Sequence, residues 1–163
     1  MERNAGRVKI SLRQACPADA EIIWRMQKAA FAALLEKYQD GETNPGAEPL
    51  ERVSSRLAQK QTYFYFIMAD GRVVGAIRVV DFHDPARRKR ISPLFILPEH
   101  RNRGYAQQAI AEAERLHGAH GWTLDTILQE DGNCHLYEKM GYQRTGEERK
   151  VNDRLTLVVY TKD

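Results

Sequence analysis

Two periods of hydrophobic and polar positions along the chain predict where its helices and strands lie. Residues 8–13 alternate between apolar and polar, which predicts a half-buried strand. Apolar residues then recur at spacings of three and four, which predicts an amphipathic helix over residues 17–38. Turn-forming residues fill 40–46 and predict a loop, and a more polar helix is predicted over residues 48–59.

The middle of the chain is rich in aromatic and β-branched residues, and it predicts three strands. Residues 62–68 form the first, Asp70-Gly71 favours a hairpin turn, and residues 73–80 form the returning strand. A further strand is predicted over residues 91–97. Pro93 lies inside it and cannot donate to a strand ladder, so the sequence predicts a bulge or an edge there.

The last third of the chain predicts a β-α-β unit followed by a second helix and two strands. An apolar stripe predicts a helix over residues 104–117, and the elements that follow are predicted at 122–128, 132–140, 142–145 and 155–161. The order β α α β β β α β α β β predicts a mixed α/β (α+β) fold, in which hairpins give a mostly antiparallel sheet. The β-α-β unit adds one parallel pair, and its right-handed crossover places the helix against one sheet face.

Length and composition restrict the class of protein. A chain of 163 residues suits one domain over residues 1–163, and 42% hydrophobic with 29% charged residues is typical of a soluble globular protein. The apolar runs are shorter than the roughly 20 residues that span a bilayer. Residues 1–6 lack the apolar stretch of a signal peptide, so we expect a cytoplasmic protein without membrane contact. Cys16 and Cys134 lack metal-ligand spacing and are interpreted as free thiols, and no metal site is expected.

The formal net charge is only +3, but four basic residues occur together at positions 87–90. The run is typical of a solvated loop between two strands. It is also compatible with attraction of an anionic cofactor or of nucleic acid. Because the chain contains no helix-turn-helix or zinc-finger pattern, a nucleic-acid partner is not expected.

The segment Arg101-Asn102-Arg103-Gly104-Tyr105-Ala106 carries the most chemical information, because it follows a predicted strand and opens a predicted helix. A helix N-terminus offers unpaired N–H groups and the positive end of the helix dipole, which together bind phosphate. Gly104 and Ala106 allow a ligand to approach the backbone, and the two arginines add positive charge. The alternative is a basic turn that caps an ordinary helix.

This segment resembles the pyrophosphate loop of the GNAT superfamily of acyl-CoA-dependent N-acyltransferases, Gln/Arg-x-x-Gly-x-Gly/Ala after a strand and a proline. Downstream, Leu136-Tyr137-Glu138-Lys139-Met140-Gly141-Tyr142 is similar to the family's Leu-Tyr-Glu-Lys-x-Gly-Phe/Tyr. The two motifs occur in the family's order and at a suitable separation. The resemblance implies a single GNAT-like domain with helices on both sheet faces and a splayed parallel strand pair at its centre.

The resemblance also implies acetyl-CoA as co-substrate, held between the strands at 91–97 and 122–128. The pantetheine amides would bond to the first of these strands, and the pyrophosphate would lie on the helix N-terminus. Asn133 stands where the family usually has a small residue, and Glu130 where it usually has asparagine. The cofactor-binding residues implied are Leu94, Phe95, Ile96, Leu97, Arg101, Asn102, Arg103, Gly104, Tyr105, Ala106, Asn133 and Tyr137.

The reaction implied is direct attack of a primary amine on the thioester, with an N–H near Phe95 stabilising the oxyanion. Tyr137 is the candidate acid for the leaving thiolate, and core packing is its alternative role. A base or a relay water must deprotonate the amine. Glu130 is the candidate base, while Asp131 and His135 remain alternatives, and all three also fit helix capping or surface charge.

The acceptor is expected to be a small-molecule or peptide amine bound by Tyr38, Asp40 and Asn44. Asp40 and Glu42 favour a cationic amine, although loop solvation explains both carboxylates equally well. The competing functions are a non-catalytic acyl-CoA-binding sensor on the same fold and a nucleic-acid or ribosome partner. A monomer or a homodimer is compatible with the sequence.

Overall fold

The computed structural model describes residues 8–163, and within them seven strands form one sheet. The strands are β1 (Ile10–Gln14), β2 (Thr62–Ala69), β3 (Arg72–Val80), β4 (Lys89–Ile96), β5 (Trp122–Ile127), β6 (Gln143–Lys150) and β7 (Thr156–Lys162). The helices are α1 (Ala20–Tyr38), α2 (Leu50–Leu57), α3 (Tyr105–His117) and α4 (Asp131–Lys139). The predicted absence of a signal peptide concerns residues 1–6, which lie outside the described part of the chain.

The strand order β1-β2-β3-β4-β5-β7-β6 is antiparallel at every step except one, the parallel pair β4–β5 that α3 connects. Only two residue pairs join these strands, Lys89 with Trp122 and Arg90 with Thr123. Beyond them β4 continues to Ile96 and β5 to Ile127 without pairing with each other, so the sheet opens in its middle. The predicted mixed sheet with a splayed parallel pair is confirmed.

Both faces of the sheet are covered because the residues of β2 alternate between two hydrophobic clusters. Tyr65 and Ile67 face α3 and α4, while Phe64 and Phe66 face α1 and α2. Most of these side chains are almost fully buried, and each contributes about 1.5–3 kcal/mol of burial free energy. The prediction of helices on both faces is confirmed, and the packing holds the two halves of the open sheet in place.

A bulge interrupts the β3–β4 pair at the position that the sequence predicts. The register shifts between Ile77 and Val79, so Ser92 and Pro93 together oppose the single residue Arg78. The peptide bond before Pro93 is cis. The buried Arg78 Nε donates to the Ser92 carbonyl oxygen at 2.5 Å, which satisfies an acceptor that the bulge removes from the ladder.

Two strands are longer than predicted because polar residues extend them. β4 begins at Lys89, so only part of the basic run lies in the predicted loop. Lys89 Nζ donates to the His120 carbonyl at 2.7 Å, and Arg90 pairs with Asp125 at 2.7 Å, so these side chains have partners along the sheet. β6 extends to Lys150, and every residue of it is exposed, so it carries no apolar period that would reveal it.

Within residues 8–163, no helix combines the length and the apolar character that crossing a bilayer would require. The same residues contain no group of three or more His, Cys, Asp or Glu side chains arranged to hold a metal ion.

Candidate functional site

The stretch of β4 that is not paired with β5 forms one wall of a cavity of about 490 Å³. Leu94, Phe95 and Ile96 line it from β4, and α1, α3 and α4 supply the other walls. This stretch of β4 has no pairing with β5, so its backbone groups on that side, apart from the Ile96 carbonyl that accepts from Arg101, can bond an extended amide chain as an added strand would. The cavity therefore suits a long, thin ligand that carries amides.

One end of this cavity is the N-terminus of α3. Gly104 is the N-cap residue, with φ 78° and ψ 12°, a left-handed conformation that favours glycine. No side chain caps the helix, so the first N–H groups of α3, from Tyr105 onward, lack partners within the helix. Gly104, Tyr105 and Ala106 all line the cavity. This end can hold a diphosphate through backbone N–H groups and the helix dipole.

The two predicted phosphate-binding arginines have different surroundings. The Arg101 guanidinium donates to the carbonyl oxygens of Ile96, at 3.0 Å, and Ala30, at 2.7 Å. It therefore ties the loop before α3 to β4 and α1, and its donors are largely used within the protein. Arg103 is exposed and does not line the cavity.

The structure brings together most of the predicted cofactor-binding residues. Apart from Arg103, only Leu97 is missing from the cavity wall, because its N–H donates to the Val74 carbonyl of β3 at 2.8 Å. The others line the cavity: Leu94, Phe95, Ile96, Arg101, Asn102, Gly104, Tyr105, Ala106, Asn133 and Tyr137.

A second cavity, of about 360 Å³, adjoins the first. The two cavities share a wall of mainly apolar side chains. These are Phe31, Leu34, Leu94, Asn133 and Tyr137. Tyr137 and the β4 bulge therefore lie where a molecule in the first cavity would be nearest to a molecule in the second.

Tyr137 is buried and its ring packs against Tyr142 and Tyr160, each with ring centroids 6.1 Å away. Burial, followed by the nearby Asp125, raises the pKa of the Tyr137 phenol above its ordinary value, so the hydroxyl stays protonated at neutral pH. Among residues 8–163 this hydroxyl has no hydrogen-bond partner. It is therefore a free donor at the junction of the two cavities.

Glu130 is the N-cap residue of α4, but its side chain makes no capping hydrogen bond; it lines the first cavity and not the second. Its Oε2 accepts from the Tyr38 hydroxyl at 2.5 Å and from Lys37 Nζ at 3.0 Å. Burial raises the pKa of Glu130, but the bonds from Tyr38 and Lys37 outweigh burial and lower the pKa below its ordinary value. The cluster ties the end of α1 to the start of α4, and it weakens this carboxylate as a base.

The three predicted acceptor residues divide into two groups. Asp40 and Asn44 line the second cavity, and Asn44 Nδ2 donates to Asp40 Oδ1 at 3.1 Å. Tyr38 is buried, its hydroxyl is bonded to Glu130, and it does not line that cavity. Four arginines also line the second cavity, Arg52, Arg56, Arg90 and Arg149. They come from three separate elements and share no local motif, so the sequence does not predict that they lie together.

Comparison with known proteins agrees with this architecture. The model of the acetyltransferase (GNAT) family matches residues 28–142, which includes both motifs. N-acetyltransferase 8 of Rattus norvegicus is 30% identical over 111 residues, a region that covers 64% of this chain and 49% of the rat protein. The chain thus spans about half the length of that relative.

Two solved structures have the same fold. A spermidine N-acetyltransferase from Vibrio cholerae, in complex with CoA and spermine, superposes with a TM-score of 0.73 at 18% identity. The match covers 93% of this chain and 94% of that one. An acetyltransferase from Thermus thermophilus gives a TM-score of 0.68 at 17% identity, over 93% of this chain and 95% of that one.

At such identities a structural match concerns the fold alone, whereas the family match covers more than two thirds of the chain and includes both motifs. The chain belongs to the acetyltransferase (GNAT) family.

Proposed function

We propose that the chain transfers an acetyl group from acetyl-CoA to a primary amine. The observation that carries the proposal is the position of Tyr137 between two adjoining cavities, one suited to the cofactor and one open to an acceptor. The family of the chain and the similarity to acetyltransferases support it. The acceptor would be a small molecule or a peptide, and the protein would act as a monomer or a homodimer.

Acetyl-CoA supplies a thioester whose carbonyl carbon bonds to the amine nitrogen as the C–S bond breaks and the sulfur takes up a proton. The residues of the chain would bind acetyl-CoA and orient its thioester toward the amine. The backbone of β4 that faces the gap between Leu94 and Ile96, apart from the Ile96 carbonyl that accepts from Arg101, would hold the pantetheine arm, and a backbone N–H near Phe95 would stabilise charge on the thioester carbonyl oxygen. Gly104 and the first turn of α3 would hold the diphosphate.

The Tyr137 hydroxyl would give its proton to the leaving sulfur. Burial raises the pKa of this phenol and makes it a weaker acid than an ordinary tyrosine, so its case as the acid rests on its position and on the absence of a competing hydrogen-bond partner among residues 8–163. A donor placed in this way contributes about 10²–10⁴-fold to the rate.

Glu130 is a weaker candidate for the base than the sequence suggests. Its lowered pKa makes it a poor proton acceptor, and it borders the cofactor cavity only. We propose that it positions α1 against α4 through Tyr38 and Lys37, while water in the second cavity takes the proton of the amine. Asp131 and His135 are exposed on α4 and line neither cavity.

Tyr137→Phe tests the proposal. The substitution keeps the ring between Tyr142 and Tyr160, so the fold should stay within about 1 kcal/mol of the original stability. We expect kcat to fall by about 10²-fold in a thiol-release assay, while the Kd for acetyl-CoA stays unchanged.

The matched control is Tyr63→Phe, which removes a hydroxyl bonded to His83 and outside both cavities, and it should leave kcat unchanged. Unchanged turnover of Tyr137→Phe between about pH 6 and pH 9 would exclude the proposed acid. Acetyl-CoA binding without turnover of any amine by the unsubstituted chain would indicate a sensor instead.

A further inference from the structure

We infer that the acceptor amine also carries a carboxylate, as an amino acid does, and that Arg149 and Arg52 bind that carboxylate in the second cavity. The inference rests on the proposed function and names the class of acceptor. It follows from the distribution of charge around the cavity, where four arginines and four acidic residues form part of the wall.

Half of these charges already have partners inside the protein. Arg56 pairs with Glu48 at 2.8 Å, and Arg90 pairs with Asp125 at 2.7 Å. Both ion pairs are partly buried, and Glu48 also accepts from Gln27 Nε2 at 2.9 Å. These two ion pairs form part of the cavity wall, and because each pair is neutral overall, they attract a charged ligand only weakly.

The other two arginines have no acidic partner within the described residues. Arg52 lies on α2 and Arg149 on β6, so they reach the cavity from two separate elements. Both are exposed, and neither forms a salt bridge or a side-chain hydrogen bond among residues 8–163. A guanidinium presents several N–H donors in one plane and binds a carboxylate through two parallel hydrogen bonds.

Arg78, which does not line the cavity, adds positive charge next to its wall. Arg78 is 7% exposed and lies on β3 opposite Ser92 and Pro93 of β4, which line the cavity. Among residues 8–163 its guanidinium donates only to neutral oxygens, those of the Ser92 carbonyl and the Thr62 hydroxyl. Burial, followed by the positive charge of Arg56, lowers the pKa of Arg78 to about 10. The positive charge of Arg78, with that of Arg52 and Arg149, therefore favours an anion in this cavity.

Negative charge lies in the loop that follows α1. Asp40 and Glu42 line the same cavity, and neither pairs with a cation among residues 8–163. Asp40 is buried and bonded to Asn44, whereas Glu42 is exposed. These carboxylates can attract the ammonium form of an acceptor, while Arg52 and Arg149 attract its carboxylate.

A polyamine fits this wall less well than a zwitterion. A polyamine carries only positive charges. In this cavity it would lie near Arg52 and Arg149, which have no acidic partner among residues 8–163, and such like-charge contacts cost free energy. The charge pattern therefore favours a molecule with both signs over the cationic amine that Asp40 and Glu42 alone would suggest.

The test compares acceptors that differ in the carboxylate alone. The panel consists of L-amino acids with small, aromatic, acidic and basic side chains, each paired with its C-terminal amide, and spermidine. Amidation changes the pKa of the amine, so kcat/KM is measured across pH and compared at equal fractions of neutral amine. We expect at least one amino acid to be preferred over its amide by about ten-fold.

Arg149→Gln should remove this preference by raising KM for the amino acid about ten-fold, with little change for the amide. Lys150→Gln is the matched control. It removes the same charge one position further along β6, from a side chain that pairs with Asp153 and does not line the cavity, and the preference should persist.

The inference is overturned if amides or spermidine are acetylated faster than every amino acid, or if Arg149→Gln leaves the preference intact. Either result leaves the proposed acetyl transfer standing. If no amine in the panel is acetylated although acetyl-CoA binds, the proposed function fails and this inference fails with it.

Discussion

Gly104→Ala should cost little stability but should weaken the binding of acetyl-CoA. Gly104 has φ 78°, where an L-residue with a side chain costs about 1–2 kcal/mol. A Cβ at this position would meet no heavy atom within 4 Å, so backbone strain is the only cost expected. For a chain of this size each 1 kcal/mol corresponds to about 2–4 °C in Tm.

The same Cβ would enter the open space at the N-terminus of α3, where the diphosphate would approach the backbone. Because it holds the phosphate oxygens away from the N–H groups of Tyr105 and Ala106, we expect Gly104→Ala to weaken acetyl-CoA binding at least about ten-fold, or ~1.4 kcal/mol. Titration calorimetry gives the affinity, and thermal unfolding gives the stability.

Gly71→Ala provides a matched control. Gly71 has φ 76°, its Cβ would also meet nothing within 4 Å, and it lies in the β2–β3 turn outside the cofactor cavity. Both variants should lose similar stability, and only Gly104→Ala should lose affinity. Equal acetyl-CoA affinity in the two variants would refute the assignment of this helix N-terminus to the diphosphate.

Three further substitutions test the supports of the site. Arg78→Met should cost about 1–3 kcal/mol in urea unfolding, because it leaves the Ser92 carbonyl at the bulge without its donor, and an equally stable variant would contradict this. Burial raises the pKa of Asp81, but the hydrogen bonds from the His117 ring and the His83 backbone outweigh it and lower the pKa below the ordinary 3.8. The stability that this carboxylate contributes is therefore present above about pH 4 and is lost as the pH falls further, so Asp81→Asn should unfold with a weaker acid dependence than the original chain in denaturation series at about pH 3 and pH 7. Glu130→Gln should lower kcat by less than about threefold if Glu130 positions α1 against α4, whereas a fall of about 10²-fold would restore it as the base.

The elements that the sequence predicts well are those whose residues alternate between a buried and an exposed face. α3 shows this, because Ala109, Ile110 and Ala113 lie in the core where the period places them. β2 is buried on both faces, and its aromatic and β-branched residues predict it instead. The turn after β2 also follows from local chemistry, since Asp70 and Gly71 both have positive φ. Pro93 marks the bulge for a similar reason, because a missing N–H limits where a proline can stand in a ladder.

Features that depend on residues distant in the sequence are not predictable in this way. Arg90 and Asp125 are 35 positions apart, and their ion pair forms only because β4 and β5 are neighbours in the sheet. The bond from Tyr38 to Glu130 spans 92 positions and changes the expected role of both residues. The charge pattern of the second cavity is likewise a product of the fold, because α2 and β6 bring Arg52 and Arg149 to the same cavity.

The central claim is that the gap between β4 and β5, closed at one end by the N-terminus of α3, binds acyl-CoA. Calorimetric titration of the unsubstituted chain with acetyl-CoA at low ionic strength tests it most directly. We predict saturable binding at one site per chain, accompanied by about 2.7 kcal/mol of added stability at a ligand concentration roughly one hundred times Kd. A titration without saturable heat, together with an unchanged Tm at millimolar acetyl-CoA, would contradict the account.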